Sequence, residues 1–425
     1  MNEKQPKLLF LAFPFPPIRA IGAVRCASLA KHLVRLGWQV TVVTIAPELL
    51  ADPDPAIPDS ESWCRELGVQ RVLTGLDYRM FYAGSLVWRW WEKPRLVRKA
   101  ANWFARRFGF DSRLGWIRPV LKACSTFRPG DFDVVLASGS PFAAFEAAGQ
   151  LGRRLGARVV LDYRDLWSMA PLSRTGTSRR VVPVEQKLLA QADGVFVVSA
   201  GMASCMENEF GHAHKFSVIT NGFDPDEFRD IEPVRFAQPT VVYAGTFYLP
   251  LIVIHPVLEA ICRVNRSGLP EGKTIRLLYL GGNPGHVLDA AREKDAQGWV
   301  EVGGRVSRRE VFAALKGSLA AAVITSVQDT ASPEVGAILP GKLFEAMGAG
   351  AKVLLVAPPG TEAAQIVTQS NAGRPFAGSD VAGMADWLRQ LVGGGDAGPG
   401  SNVHSYAWPE IAKKADAALR RVMTR

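Results

Sequence analysis

The sequence predicts an α/β protein made of two Rossmann-like domains, and three observations carry that prediction. The chain has 425 residues, beyond the roughly 250–300 at which a single hydrophobic core stops growing. Apolar, β-rich runs alternate with amphipathic helical stretches. They do so in two separate series, parted by a polar connector at residues 229–239. With 48% hydrophobic and 21% charged residues and 40 glycines, the composition is that of a packed protein and not of a disordered one.

The apolar run at residues 8–15 is too short to span a membrane and carries no small-residue cleavage site, so it reads as the first buried strand. GAVRCASLAKHLVRLG follows, with Leu29, Leu33 and Leu36 at helical spacing and Gly37 as its stop. WQVTVVTIA then completes a β-α-β unit, which requires parallel strands and a right-handed crossover. After the Pro/Asp-rich loop ADPDPAIPDSES come DVVLAS, a helix near 141–155, the strand ARVVLDYRD, a helix near 185–191 and DGVFVVS. This series ends at FSVITNGFDPDEF, where Asn221-Gly222 and Asp224-Pro225 are turn formers. The second series runs TVVYAGTF, IRLLYLGG, WVEVGG, LAAAVITS and AKVLLVAP, with helices between. The expected domains are residues 1–228 and 240–403, followed by a C-terminal helix within 404–425. Its stripe of Trp408, Ile411, Ala415 and Leu419 is able to pack on either domain, including by crossing back to the first.

Cys26, Cys64, Cys124, Cys205 and Cys262 are scattered, with no C-x-x-C and no His at metal-ligand spacing. They read as buried thiols of a reducing compartment, so a cytoplasmic protein is expected. The net charge of +10 is concentrated: residues 79–118 hold ten Lys or Arg against Glu92 and Asp111, a local +8. Within this segment, LVWRWWEKPRLVRKAANWFARRFGF combines four Trp with basic residues at helical spacings. Two readings stay open. One is an interfacial helix resting on anionic lipid headgroups, which makes the protein peripheral on the inner face of the membrane. The other is a helical excursion packed on the first domain with its cations reaching water. Nucleic acid is not expected, because no recognised RNA- or DNA-binding module surrounds the patch.

Open parallel sheets bind ligands beyond the C-terminal ends of their strands, where helix N-termini and free amides point at anions. Small or Gly-rich turns stand there at residues 20–23, Gly245-Thr246, Gly281-Gly282 and Gly303-Gly304. The sharpest segment is LPGKLFEAMGAG, residues 339–350. Pro340-Gly341 opens a helix that residues 348–350 close, so Lys342 and Glu345 share one face of its first turns. A cation beside a helix N-terminus suits a pyrophosphate, and a carboxylate one turn on can accept from ribose hydroxyls. The plain alternative is a surface pair contributing about 0.2–0.5 kcal/mol. Asp162 and Asp165 follow the strand ARVVL, where a carboxylate could take or orient an acceptor's hydroxyl proton. Their structural alternative is a helix cap or an ion pair with Arg164, and of the two Asp165 is preferred. The Asp-Pro-Asp stretches at 52–54 and 224–226 sit in Pro-rich turns and not at strand ends, so no metal site is expected.

LPGKLFEAMGAG resembles the donor-binding signature P-x-K-x-F-E-x-x-A-x-G of retaining family 4 glycosyltransferases, and the likeness extends along nearly the whole chain. FPFPPIRAIGAVR resembles that family's first strand and the loop facing the phosphates, which implicates Gly22. ASGSP at 137–141 and LDYRDLW at 161–167 resemble blocks of its bacterial surface-polysaccharide branch. VITNGFD at 218–224 and YAGT at 243–246 resemble the domain junction and the first loop of the donor half. The resemblance implies the GT-B architecture, with two Rossmann-like domains facing each other across a cleft. Residues 1–228 would bind the acceptor, a glycan or lipid-linked hydroxyl, and 240–403 a nucleotide sugar, UDP- or GDP-linked, with no further cofactor. It places Glu345 on the ribose, Lys342, Gly245 and Thr246 near the diphosphate, and Arg305 near base or phosphate. Two departures stand out: the usual glutamate eight residues before Glu345 is Ala337, with Glu334 nearby, and the loop after Gly245 lacks the frequent Arg/Lys pair. Two rivals follow, a nucleotide-sugar epimerase or hydrolase on the same fold and a degenerate, membrane-associated subunit.

Overall fold

The computed structural model describes residues 5–18, 21–49, 60–75, 114–171, 181–395 and 401–424. The basic Trp-rich segment lies outside them up to residue 113. The chain divides into two compact units, Met1–Thr220 with Ile411–Arg425, and Asn221–Glu410.

The first unit is built on seven strands: β1 (Lys7–Leu11), β2 (Gln39–Ile45), β3 (Val69–Thr74), β4 (Val134–Gly139), β5 (Arg158–Tyr163), β6 (Gly194–Val197) and β7 (Phe216–Val218). They pair in the order β3-β2-β1-β4-β5-β6-β7, every pair parallel. Continuous apolar runs make these strands because both faces are covered by helices; Leu8 through Leu11 are all fully buried. The sheet winds outward in both directions from β1, whose residues Leu8–Leu11 lie against β2 on one side and β4 on the other. That switch point opens a crevice beyond the C-terminal ends of β1 and β4. The helices Ile21–Arg35 and Ala143–Leu155 leave from there.

The second unit repeats the plan with β8 (Thr240–Ala244), β9 (Arg276–Leu280), β10 (Val300–Gly304), β11 (Ala320–Ile324), β12 (Val353–Val356) and β13 (Gly373–Phe376). Their order is β10-β9-β8-β11-β12-β13, again parallel throughout. Here the switch point lies between β9 and β11 across β8, and the loop that leaves β8 carries Gly245 and Thr246. The helix Gly341–Gly348 spans the bounds that Pro340-Gly341 and the closing glycines predict.

One boundary differs from the sequence expectation, and the final helix takes one of the two packings left open. The turn after Thr220 belongs to the second unit, because Phe223 and Phe228 sit in its core and Phe228 packs on Phe312 at 4.4 Å. The final helix, Trp408–Met423, joins the first unit from Ile411 onward. There Asp416 accepts from Trp38 Nε1 at 2.7 Å and from Arg420 at 2.7 Å, and Val422 packs against Gly194.

Candidate functional site

In the second unit, the side chains nominated from sequence converge on the C-terminal end of β8. Tyr243 and Tyr279 are register partners on β8 and β9. Both rings are buried, and Tyr243 stacks on Phe247 with centroids 4.4 Å apart. Lys342, on the opening turn of its helix, donates to Tyr243 Oη at 2.7 Å and lies 4.2 Å from that ring's centre. Tyr243 Oη in turn donates to the Thr246 carbonyl at 3.2 Å. Burial pushes the Lys342 ammonium down to about 7, against the pull of Glu345. An anion set beside it would restore the charged form.

Gly245 has φ +135°, a conformation that L side chains rarely adopt. A Cβ there would also stand 3.6 Å from Lys342 Nζ, so the glycine keeps the space above the ammonium open. The Gly245 carbonyl accepts from Tyr279 Oη at 3.0 Å, and Tyr279 Oη accepts from the Asn283 amide at 2.9 Å. A Cβ at Gly281 would fall 2.3 Å from both the Gly245 carbonyl and Tyr279 Oη. Arg305 is exposed and lies over Gly282, where a Cβ would meet its Nε at 2.8 Å. The structure therefore gathers Gly245, Thr246, Arg305 and Lys342 around the two tyrosines. Sequence reasoning singled out neither ring, although each stands one residue before the end of a strand that enters the nominated loops.

Glu345, 17% exposed, is paired with Arg308, whose Nη1 donates to Oε1 at 2.7 Å. The other edge of Arg308 holds Glu227, at 2.8 Å from Nη2 and 3.3 Å from Nε. Ala337 is buried and Glu334 lies in the short helix Pro333–Gly336. The partner that Glu345 has is thus a cation from another helix and not a second glutamate.

In the first unit, the two aspartates part ways. Asp162 is fully buried: Arg25 Nη2 donates to its Oδ1 at 2.6 Å and Ser138 Oγ to its Oδ2 at 2.7 Å. Its ion pair is with Arg25, not with Arg164. Arg164 instead donates to the carbonyls of Gly139 and Ser140 and lies so close over Gly22 that a Cβ there would collide with it. Gly22 is thereby covered by a guanidinium at the start of the helix Ile21–Arg35. Asp165 is exposed, and two residues on Trp167 stacks flat on Phe142 at 4.7 Å.

Behind this loop, Glu185 is buried and accepts from the Ser168 amide at 3.0 Å. Among the described residues its Oε1, Tyr163 Oη and Ser168 Oγ have no hydrogen-bond partner. Burial raises the Glu185 carboxyl from 4.5 to about 7, against the Ser168 amide hydrogen bond that lowers it. A raised folded-state value favours the folded state below about 4.5, and that advantage is lost as pH rises through about 7. The displacement corresponds to on the order of 3 kcal/mol. Urea unfolding of the wild type is expected to show that loss between pH 5 and pH 8, and Glu185→Gln to abolish it. Equal pH dependence in the two proteins would refute the protonated state.

Among the described residues no group of three His, Cys, Asp or Glu is placed to hold a metal ion. Asp224, of the second Asp-Pro-Asp, is 4% exposed and caps Pro225–Phe228 through the Asp226 amide at 3.1 Å. The first, at 52–54, lies outside the described residues. No described helix is long and apolar enough to cross a membrane.

Residues 22–222 match the glycosyl transferase 4-like domain. The fold is that of sucrose-phosphate synthase from Thermosynechococcus elongatus, at 14% identity and a TM-score of 0.65 over 99% of each chain. It is also that of Anabaena HepE, solved with UDP and glucose, at 16% identity and a TM-score of 0.56, covering 99% of this chain and 96% of that one. The lipopolysaccharide outer core galactosyltransferase WaaB shares it at 12% identity and a TM-score of 0.57, over 98% and 99% of the two chains. No curated protein sequence matches the chain. Identities this low establish a common fold, and a fold alone does not assign a reaction. Residues 22–222 are thus similar to the glycosyl transferase 4-like domain, in a chain that shares the two-Rossmann-domain GT-B fold of these structures.

Proposed function

We propose that this protein is a glycosyltransferase that moves a sugar from a nucleoside diphosphate sugar to a hydroxyl acceptor, with the second unit holding the donor. The observation that carries this reading is the placing of Lys342 and Glu345 three residues apart on the first turns of one helix, with Lys342 beside Gly245 and its ammonium pushed down to about 7 by burial. Lys342 and Arg305 neutralise the diphosphate in place of a metal ion, aided by the N-terminus of the helix Gly341–Gly348. Glu345 accepts from the ribose.

In the transfer, the bond from the anomeric carbon to the diphosphate breaks and one to the acceptor oxygen forms. The hydroxyl proton passes to the departing diphosphate or to Asp165, the carboxylate of the loop after β5 that is exposed to solvent. Asp162 takes no part, since Arg25 and Ser138 occupy it. The resemblance to family 4 enzymes supports retention of the anomeric configuration and a lipid-linked or surface-polysaccharide acceptor. HepE bound to UDP, on the same fold, supports a UDP-linked donor before a GDP-linked one. The charge of residues 79–118 supports work at the inner face of a membrane.

The test is release of nucleoside diphosphate from UDP- and GDP-sugars, with and without a bacterial lipid extract. Extract-dependent release is expected, reduced about 10–100-fold by Glu345→Ala through loss of a charge-assisted hydrogen bond. Release that ignores the extract would identify an epimerase or hydrolase, and no release with any donor would identify a degenerate subunit.

A further inference from the structure

Glu345 does not stand alone. Its partner Arg308 is the first residue of the helix Arg308–Gly317, which Ser307 and Glu310 cap reciprocally. Three contacts fix that guanidinium independently of Glu345. Nη2 and Nε grip Glu227 at 2.8 and 3.3 Å, and the cation sits 4.9 Å from the centre of the Phe312 ring. Glu227 is itself placed by the turn that Asp224 caps. Arg308 is therefore a template that would hold its position if Glu345 were removed. It takes Oε1 of Glu345, and Oε2 has no partner among the described residues.

A second cation competes for this carboxylate. Lys342 lies three residues earlier on the same helix, and the Glu345 charge acts on it. Were Arg308 absent, Glu345 would be free to turn to Lys342, three residues before it, and each would neutralise the other. With Arg308 in place, the carboxylate is fixed by one oxygen and is held away from the Lys342 ammonium.

We propose that Arg308 is the positioning residue for ribose recognition. It holds Glu345 by Oε1 so that Oε2 faces the sugar hydroxyls, and it keeps Glu345 from pairing with Lys342. This rests on the reading of Glu345 as the ribose acceptor.

The experiment is titration calorimetry of the full-length protein with UDP and GDP and with their 2′,3′-dideoxy counterparts. A site built to hydrogen-bond hydroxyls rejects analogues that lack them, so the wild type is expected to prefer the ribose form by at least about tenfold. Glu345→Gln is expected to erase that preference. Arg308→Gln is expected to bring it within about twofold of unity, and Arg308→Lys, which keeps the charge without the fork, to restore part of it. A merely structural role for Arg308 would weaken both forms equally and leave their ratio unchanged. An unchanged ratio in Arg308→Gln, with the ratio lost in Glu345→Gln, would overturn the inference and keep the reading of Glu345. An unchanged ratio in Glu345→Gln would overturn that reading, and absence of nucleotide binding by the wild type would overturn both.

Discussion

Asp162→Ala is expected to destabilise the first unit by about 3–5 kcal/mol, the cost of leaving a buried charge without its partner. Arg25 and Asp162 are 2% and 0% exposed. Without the carboxylate, the guanidinium would lose its counter-charge and keep the neutral carbonyls of Ile219 and Thr220, at 2.8 and 2.9 Å. Ser138 Oγ would lose its acceptor as well. Because Ser138 and Asp162 are register partners on β4 and β5, the damage falls at the centre of the sheet. Hydrogen exchange of the β4 and β5 amides measures it locally, without assuming that two units unfold together. Replacing both partners with apolar residues, Arg25→Met with Asp162→Leu, is expected to recover most of the loss, since the burial penalty then vanishes from both sides. Exchange in Asp162→Ala indistinguishable from the wild type would show that the pair does not hold the sheet together.

The second large effect concerns Lys342. Its removal by Lys342→Ala is expected to weaken nucleoside diphosphate binding on the order of 10²-fold, because a charge-assisted contact in a partly dry site is lost. The wild type should also carry a pH signature. Since burial holds the free ammonium near 7, a diphosphate binding above that pH must recruit a proton. Affinity should therefore be greatest below about pH 7 and fall by up to tenfold per pH unit above it, until the value in the complex is passed. Calorimetry at pH 8 in buffers of different ionisation enthalpy should register proton uptake, and Lys342→Ala should register none. A flat profile between pH 6 and pH 9 would place the diphosphate elsewhere.

Most of the architecture was legible in the sequence because parallel strands covered on both faces leave continuous apolar runs, such as KLLFL and AAAVI. The strands that escaped notice are those at sheet margins. β3 reads VQRVLT and β13 reads GRPF, polar sequences that a margin tolerates because one side and part of a face meet solvent. The helix Gly341–Gly348 was legible from its punctuation, with Pro and Gly at the start and Gly past the end. The site was legible only as far as residues that follow strands or open helices. Arg25 is embedded in an ordinary helical pattern, and nothing local announces that it reaches Asp162 137 positions away. Arg308 is one of two adjacent arginines at a helix start, indistinguishable from a solvated pair until the turn carrying Glu227 is folded against it. Long-range pairing of this kind is a property of topology, and a linear pattern does not encode it.

The first unit is discontinuous in sequence, closed by a helix from the far end of the chain. During synthesis the whole of the second unit emerges from the ribosome before Asp416 arrives to meet Trp38. A nascent chain thus carries an unfinished sheet flank for nearly two hundred residues of elongation, at roughly 5–20 residues per second. The order of assembly is then the reverse of the order of appearance: the second unit is complete before the first, and the helix Trp408–Met423 seals a part of the molecule made long before it.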